Sequence, residues 1–160
     1  MTLAIVGDID ADAVEARVRA QFTERERVAS PLKPMAQEPI RAPRVAAQSL
    51  QKAQSHLVIG FPSVSVTDPR RRPMELISTI LSGQSGRLFL ELRDKQSLAY
   101  SVSSMTVEGT DPGYFAVYMA TSPEKVSQAI DGIRAQLQRL CDQTVSDDEL
   151  SRAREYLIGT

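Results

Sequence analysis

The stretch LSGQSGRLFLELRDKQSLAYSVSS, Leu81 to Ser104, changes its hydrophobic rhythm twice, and those changes decide the fold class. Leu76, Ile77, Ile80 and Leu81 are the apolar face of a helix that Pro73 helps to start and Gly83 ends. After the tight GQSG link, Leu88, Phe89 and Leu92 mark a second short helix ending near Lys95. Leu98 to Val107 then reads as a strand with imperfect alternation. GTDPG supplies turn chemistry. Tyr114 to Ala120 alternates more cleanly, so the two runs form an antiparallel hairpin.

Outward from this centre, Ser55 to Phe61 is another strand, with Leu57, Ile59 and Phe61 on one face. Leu3, Ala4, Ile5 and Val6, closed by Gly7, read as a strand buried on both faces. Asp8 or Asp10 can cap the helix after it, whose buried stripe is Val14, Val18 and Phe22. From Thr23 to Arg44 the pattern fails and four prolines occur (Pro31, Pro34, Pro39, Pro43), as suits an extended surface connector. Towards the C-terminus, Ser122 is placed to cap a helix with Pro123 at its first position. Val126, Ile130, Ile133, Leu137 and Leu140 are its stripe. SDDE, Ser146 to Glu149, is a capping box opening a last helix that buries Leu150, Ala153 and Leu157. The order β-α-β-α-α-β-β-α-α fits one mixed sheet with helices packed on it. Residues 1–160 read as a single domain, and the helix running to the terminus suggests a piece of a longer chain.

Composition narrows the function classes. Of 160 residues, 42% are hydrophobic and 24% charged, as in ordinary globular proteins. Nineteen Lys and Arg stand against 20 Asp and Glu, so no net positive field draws nucleic acid or anionic membrane. The lone Cys141 and lone His56 exclude an internal disulfide, a Cys-rich zinc site and a two-histidine metal site. No apolar run approaches the roughly 20 residues of a membrane span, and the N-terminus lacks the basic start of a signal peptide.

Several local patterns suggest chemistry but have simpler explanations. Asp8, Asp10 and Asp12 begin like a calcium loop, but Ala13 and Arg19 stand where its Gly and Glu belong, so helix capping is the better reading. Ser85 with His56 as base does not match a nucleophile elbow, which follows a strand. GQSG followed by Arg87 resembles a backbone-clamping GXXG loop, yet the loop carries no cation. Arg70, Arg71 and Arg72 are the one strong charge run and read as a solvated turn.

Arg93 ends the second helix, and Tyr100 follows seven residues later at the strand start. A guanidinium fork and a phenol bordering a groove could hold an extended peptide backbone. Equally, the arginine could neutralise the helix's negative end while the tyrosine packs on the sheet. On residue chemistry alone the second reading is favoured.

The segment resembles the second-domain signature of the pitrilysin/insulinase family of zinc metallopeptidases, which includes the mitochondrial processing peptidases. It does so through Arg87-Leu88-Phe89, Leu92-Arg93-Asp94-Lys95 and Leu98-Ala99-Tyr100. LAIVGDID resembles the family's opening strand and turn, SHLVIGFP its central strand, and the proline-bearing connector falls where the family has one. Ser97 departs from the family, which usually has Gly there. The resemblance implies an α+β fold, an α/β sandwich of the LuxS/mitochondrial-processing-peptidase-like kind, whose mixed, largely antiparallel sheet has helices on one face. It implies a domain of a longer two-domain peptidase, with zinc on a His-x-x-Glu-His helix elsewhere and no metal ligand here. Arg93 and Tyr100 would bind substrate, and Tyr100 would also act catalytically by stabilising the tetrahedral intermediate. The implied partners are a zinc-bearing N-terminal domain or partner subunit, a peptide substrate, and a second chain in a homo- or heterodimer, with no nucleic acid and no membrane span. The implied source is bacterial, and one cysteine suits periplasm or cytoplasm alike. Two other functions stay open: a scaffold subunit without catalysis, and nucleic-acid binding through GQSG.

Overall fold

The computed structural model describes residues 3–22 and 40–159. The chain divides into two compact units, Met1–Lys33 and Pro34–Thr160.

In the first unit, helix α1 (Ala11–Gln21) starts at Asp10, whose carboxylate accepts from the N–H groups of Asp12 and Ala13. This is the capping role read for the aspartates. The strand expected at Leu3–Val6 is not formed, and these residues are exposed, Val6 almost fully. Four apolar residues make a buried strand only where neighbouring strands and a layer on each face exist, and the described part of this unit supplies neither. Nor is the α1 stripe buried: Ile5, Val14, Val18 and Phe22 border a shallow apolar hollow, with Phe22 exposed. Most of the proline-bearing connector, residues 23–39, lies outside the described residues.

The second unit is built on a three-stranded sheet of β1 (Ser55–Pro62), β2 (Ser101–Val107) and β3 (Tyr114–Thr121). Its order is β1-β3-β2 and every pairing is antiparallel. Register sets the faces: Leu57 opposes Met119 and Ile59 opposes Val117, while across the other ladder Val102 opposes Met119 and Ser104 opposes Val117. Leu57, Ile59, Val102, Phe115, Val117 and Met119 thus share one face and join the core. The opposite face carries His56, Val58, Ser101, Ser103, Met105, Tyr114 and Tyr118.

Helices cover the first face. Helix α2 (Arg71–Leu81) brings Met74, Ile77 and Leu81 to the core and stops before Gly83, which takes a φ of 78°. Three serine hydroxyls bolt it to β2: Ser104 lies 2.8 Å from Ser82 and 3.1 Å from Ser78. A short helix at Phe89–Lys95 follows; it is a π-helix. Helix α3 (Val126–Asp142) buries Ala129 and Ile133. Ser122 does not cap it through its side chain: Pro123–Lys125 form a 3₁₀ turn first, and the Ser122 hydroxyl pairs instead with the Glu124 carboxylate, lowering its pKa. A proline at the first position has already removed one of the N–H groups a cap would serve. Helix α4 (Asp147–Gly159) packs on α2 and opens with the expected capping box: Ser146 Oγ accepts from the Glu149 N–H at 3.3 Å, and Glu149 accepts from the Ser146 N–H at 3.4 Å. The architecture is α+β, an antiparallel sheet with helices on one face, as the sequence led us to expect.

Candidate functional site

The segment that resembles the peptidase signature begins at a turn with little steric latitude. A Cβ at Gly86 would lie 2.1 Å from the Ser82 carbonyl oxygen, so only glycine fits. Arg87 follows and turns inward, its side chain only 7% exposed. Its Nε and Nη2 donate to the two carboxylate oxygens of Glu149 at 2.7 and 2.8 Å, a bidentate pair across 62 residues of sequence. This guanidinium holds the Glu149 carboxyl down to about 2 and is itself held further on the protonated side. Glu149 therefore serves twice, in the α4 capping box and as the anchor of the π-helix. Arg87 is structural; the GQSG turn cannot present it to a nucleic acid.

In the π-helix, Leu88 and Leu92 are fully buried, which turns Arg93 outward. Arg93 is exposed and has no carboxylate partner among the described residues. Its guanidinium carbon sits 4.8 Å from the centroid of the half-buried Phe89 ring, a cation–π contact. Glu91, two residues before Arg93, is engaged by Lys95 at 2.7 Å.

From Arg93 to Tyr100 the backbone is braced at each step. The Arg93 carbonyl accepts from the N–H groups of Gln96 and Ser97. Ser97 has a φ of 50°, the left-handed region that favours glycine, and this explains why the resembled family usually has Gly there. Leu98 is buried; its N–H donates to the Leu92 carbonyl at 2.7 Å and its carbonyl accepts from the Thr121 hydroxyl at 2.6 Å. Tyr100 joins the sheet one residue before β2, its N–H donating to the Ala120 carbonyl at 2.8 Å. Its side chain is 56% exposed, and its hydroxyl has no partner among the described residues. Both sequence-nominated residues thus present unused donors at the ends of one braced link. Neither is sealed in the core.

The other patterns resolve differently. His56 Nδ1 lies 2.8 Å from the Tyr118 hydroxyl on the helix-free face of the sheet, whereas Ser85 lines a hollow between α2 and α4 on the opposite side. The two cannot form a nucleophile–base pair. Arg152 of α4 lines that hollow beside the GQSG turn. The arginine run is neutralised locally: Arg70 pairs with Asp68, Arg71 with Glu75 and Glu108, and Arg72 with Glu75. Arg70 holds the Asp68 carboxyl down to about 2. Among the described residues there is no group of three potential metal ligands and no helix long and apolar enough to cross a membrane. Sequence reasoning missed the Arg87–Glu149 pair, for which no local signal exists. It also missed Phe89 as the support of Arg93, though their spacing of four on a helix was a usable signal.

Comparison with known proteins gives a consistent picture. The model of the peptidase M16 inactive domain matches residues 1–157. An uncharacterized zinc protease of Streptomyces coelicolor is 35% identical over 100% of this chain and 36% of its own length. The chain spans about a third of the curated relatives that it matches end to end. Among solved structures, a peptidase M16 inactive domain from Pseudomonas fluorescens superposes with a TM-score of 0.65 at 23% identity, covering 69% of this chain and 27% of that one. A conserved protein from Enterococcus faecalis superposes with a TM-score of 0.72 at 21% identity, covering 94% of this chain and 36% of that one. At those identities the structural likeness speaks to the fold.

Proposed function

This chain belongs to the peptidase M16 inactive-domain family, and from that premise we propose that it is the substrate-binding C-terminal part of a zinc metalloendopeptidase. Arg93 and Tyr100 would complete a site whose zinc ligands lie in another domain or subunit. The observation that carries this reading is the pair of exposed, unpartnered donors on a link braced by Leu98, Thr121 and Ala120.

The chemistry asked of them is modest and suits them. Arg93 would donate to a main-chain carbonyl of an extended peptide, orienting it. Tyr100 would donate to the oxygen that becomes negative as the scissile carbonyl turns tetrahedral, stabilising charge that develops only in the transition state. Zinc held by the partner would supply the polarised carbonyl and the activated water. The sequence of this chain holds no His-x-x-Glu-His, so alone it is expected neither to bind catalytic zinc nor to cleave peptides.

The test is kinetic, in the enzyme assembled with its zinc-bearing domain, in cis or in trans. Tyr100→Phe should lower kcat by about a hundredfold, near 3 kcal/mol, with an unchanged melting temperature. Arg93→Ala should chiefly raise KM. Full activity in both variants would sink the reading.

A second reading, a non-catalytic scaffold domain, draws on the sheet face that no helix covers. Val58, Met105, Val107 and Tyr114 are exposed there, an apolar area suited to burial against another domain. Two observations separate the readings: whether a His-x-x-Glu-His motif is encoded in the same or a neighbouring reading frame, and whether Arg93 and Tyr100 matter to activity.

A further inference from the structure

The two arginines of the π-helix segment are held in opposite ways. Arg87 spends Nε and Nη2 on the Glu149 carboxylate. Arg93 rests on an aromatic face, its guanidinium carbon 4.8 Å from the Phe89 centroid, well inside the distance for a cation–π attraction. A carboxylate would immobilise Arg93 by occupying its in-plane donors and cancelling its charge. A ring face instead attracts the charge without offering a conventional hydrogen-bond acceptor. It leaves all five N–H donors at the edge free and the charge intact. An exposed arginine with no support would also have to give up its rotamer freedom each time it bound a ligand.

Phe89 is suited to be that support. It is half-buried between core-facing Leu88 and exposed Leu90, one turn before Arg93, in a helix anchored by the Arg87–Glu149 pair at its start and by the Leu98–Leu92 hydrogen bond at its end. We propose that Phe89 is the positioning residue for Arg93, fixing the guanidinium plane so that its free donors meet a peptide carbonyl. The inference rests on the reading of Arg93 as a substrate-binding group and adds to it a residue that never touches substrate.

The experiment compares Phe89→Leu, which keeps an apolar side chain but removes the ring, with Phe89→Tyr, which keeps the ring. Arg93→Ala is the reference. Kinetics are measured in the zinc-bearing assembly, and the Arg93 Nε–Hε resonance is followed by NMR in this chain. Phe89→Leu should raise KM about two- to fivefold with kcat retained, the size of one exposed cation–π contact. Phe89→Tyr should match the wild type. The Arg93 resonance should be shifted upfield by the ring in wild type and Phe89→Tyr, and should move to the position of free arginines in Phe89→Leu. If Arg93→Ala raises KM while Phe89→Leu leaves it unchanged, the positioning role is overturned and the substrate-binding role survives. If Arg93→Ala has no effect, the substrate-binding role itself falls. Should Phe89→Leu fail to fold, an Arg93 resonance in the wild type indistinguishable from free arginines would still overturn the proposal.

Discussion

The two ends of one short segment differ in how they treat the same functional group. At Arg87 the guanidinium is buried and bidentate, with Nε and Nη2 committed to Glu149 and Nη1 left without a partner among the described residues. At Arg93, six residues on, it is exposed, supported from below and committed to no acceptor. The first arrangement fastens α4 to the π-helix. The second leaves a charged fork free to meet something else. One signature therefore encodes a frame and a tool, and residue identity alone does not say which arginine is which. Burial and partner do.

The widest gap should appear when each arginine is removed. Arg87→Leu should destabilise the fold by about 2–3 kcal/mol, read as a lowered midpoint in chemical denaturation. That lies at or below the roughly 3–5 kcal/mol of a broken fully buried pair, because the stranded Glu149 can partly regain water. Arg93→Ala should stay within about 0.5 kcal/mol of wild type, as exposed side chains generally do. Equal losses would erase the distinction.

A pH series sharpens the same contrast with a smaller effect. Glu149 is held near 2 in the folded chain against an ordinary value of 4.5, so its pairing adds stability above about 4.5 that drains away as pH falls toward 2. Asp68 titrates over a similar window, so the informative quantity is the difference between wild type and Glu149→Gln. The variant's denaturation midpoint should fall less steeply with acid. Parallel curves would mean the pair contributes little.

The smallest effect concerns the link between Arg93 and Tyr100. Ser97→Gly relieves a left-handed backbone at φ 50° and should stabilise by about 0.5–1 kcal/mol, the steric gain slightly offset by glycine's greater freedom when unfolded. A drop in melting temperature would show that the serine side chain has a role beyond the turn.

Much of this was legible in the sequence because it is local. Periodicity placed β1, α2, β3 and α3 to within a residue or a few, and Ser146-x-x-Glu149 announced the cap of α4. The family signature picked out Arg93 and Tyr100, and the one residue departing from it fell on the strained turn. What failed was non-local. Leu3–Val6 has the composition of a buried strand, but strand formation depends on neighbours that four residues cannot encode. Glu149 reads as a capping residue, and nothing near it predicts a second partner 62 positions away. Nor does the pattern Leu88, Phe89, Leu92 separate a π-helix from an α-helix, since both bury the same side chains.

That last ambiguity has a mechanical consequence. A π turn holds an extra residue compared with an α turn, and one residue along an α-helix is worth about 100° of azimuth. Removing one position from the Phe89–Lys95 coil ahead of Arg93 would rotate the Arg93 side chain relative to the buried Leu88. The aim of the exposed fork is thus set by winding, like the pitch of a screw, rather than by the sheet on which it is mounted.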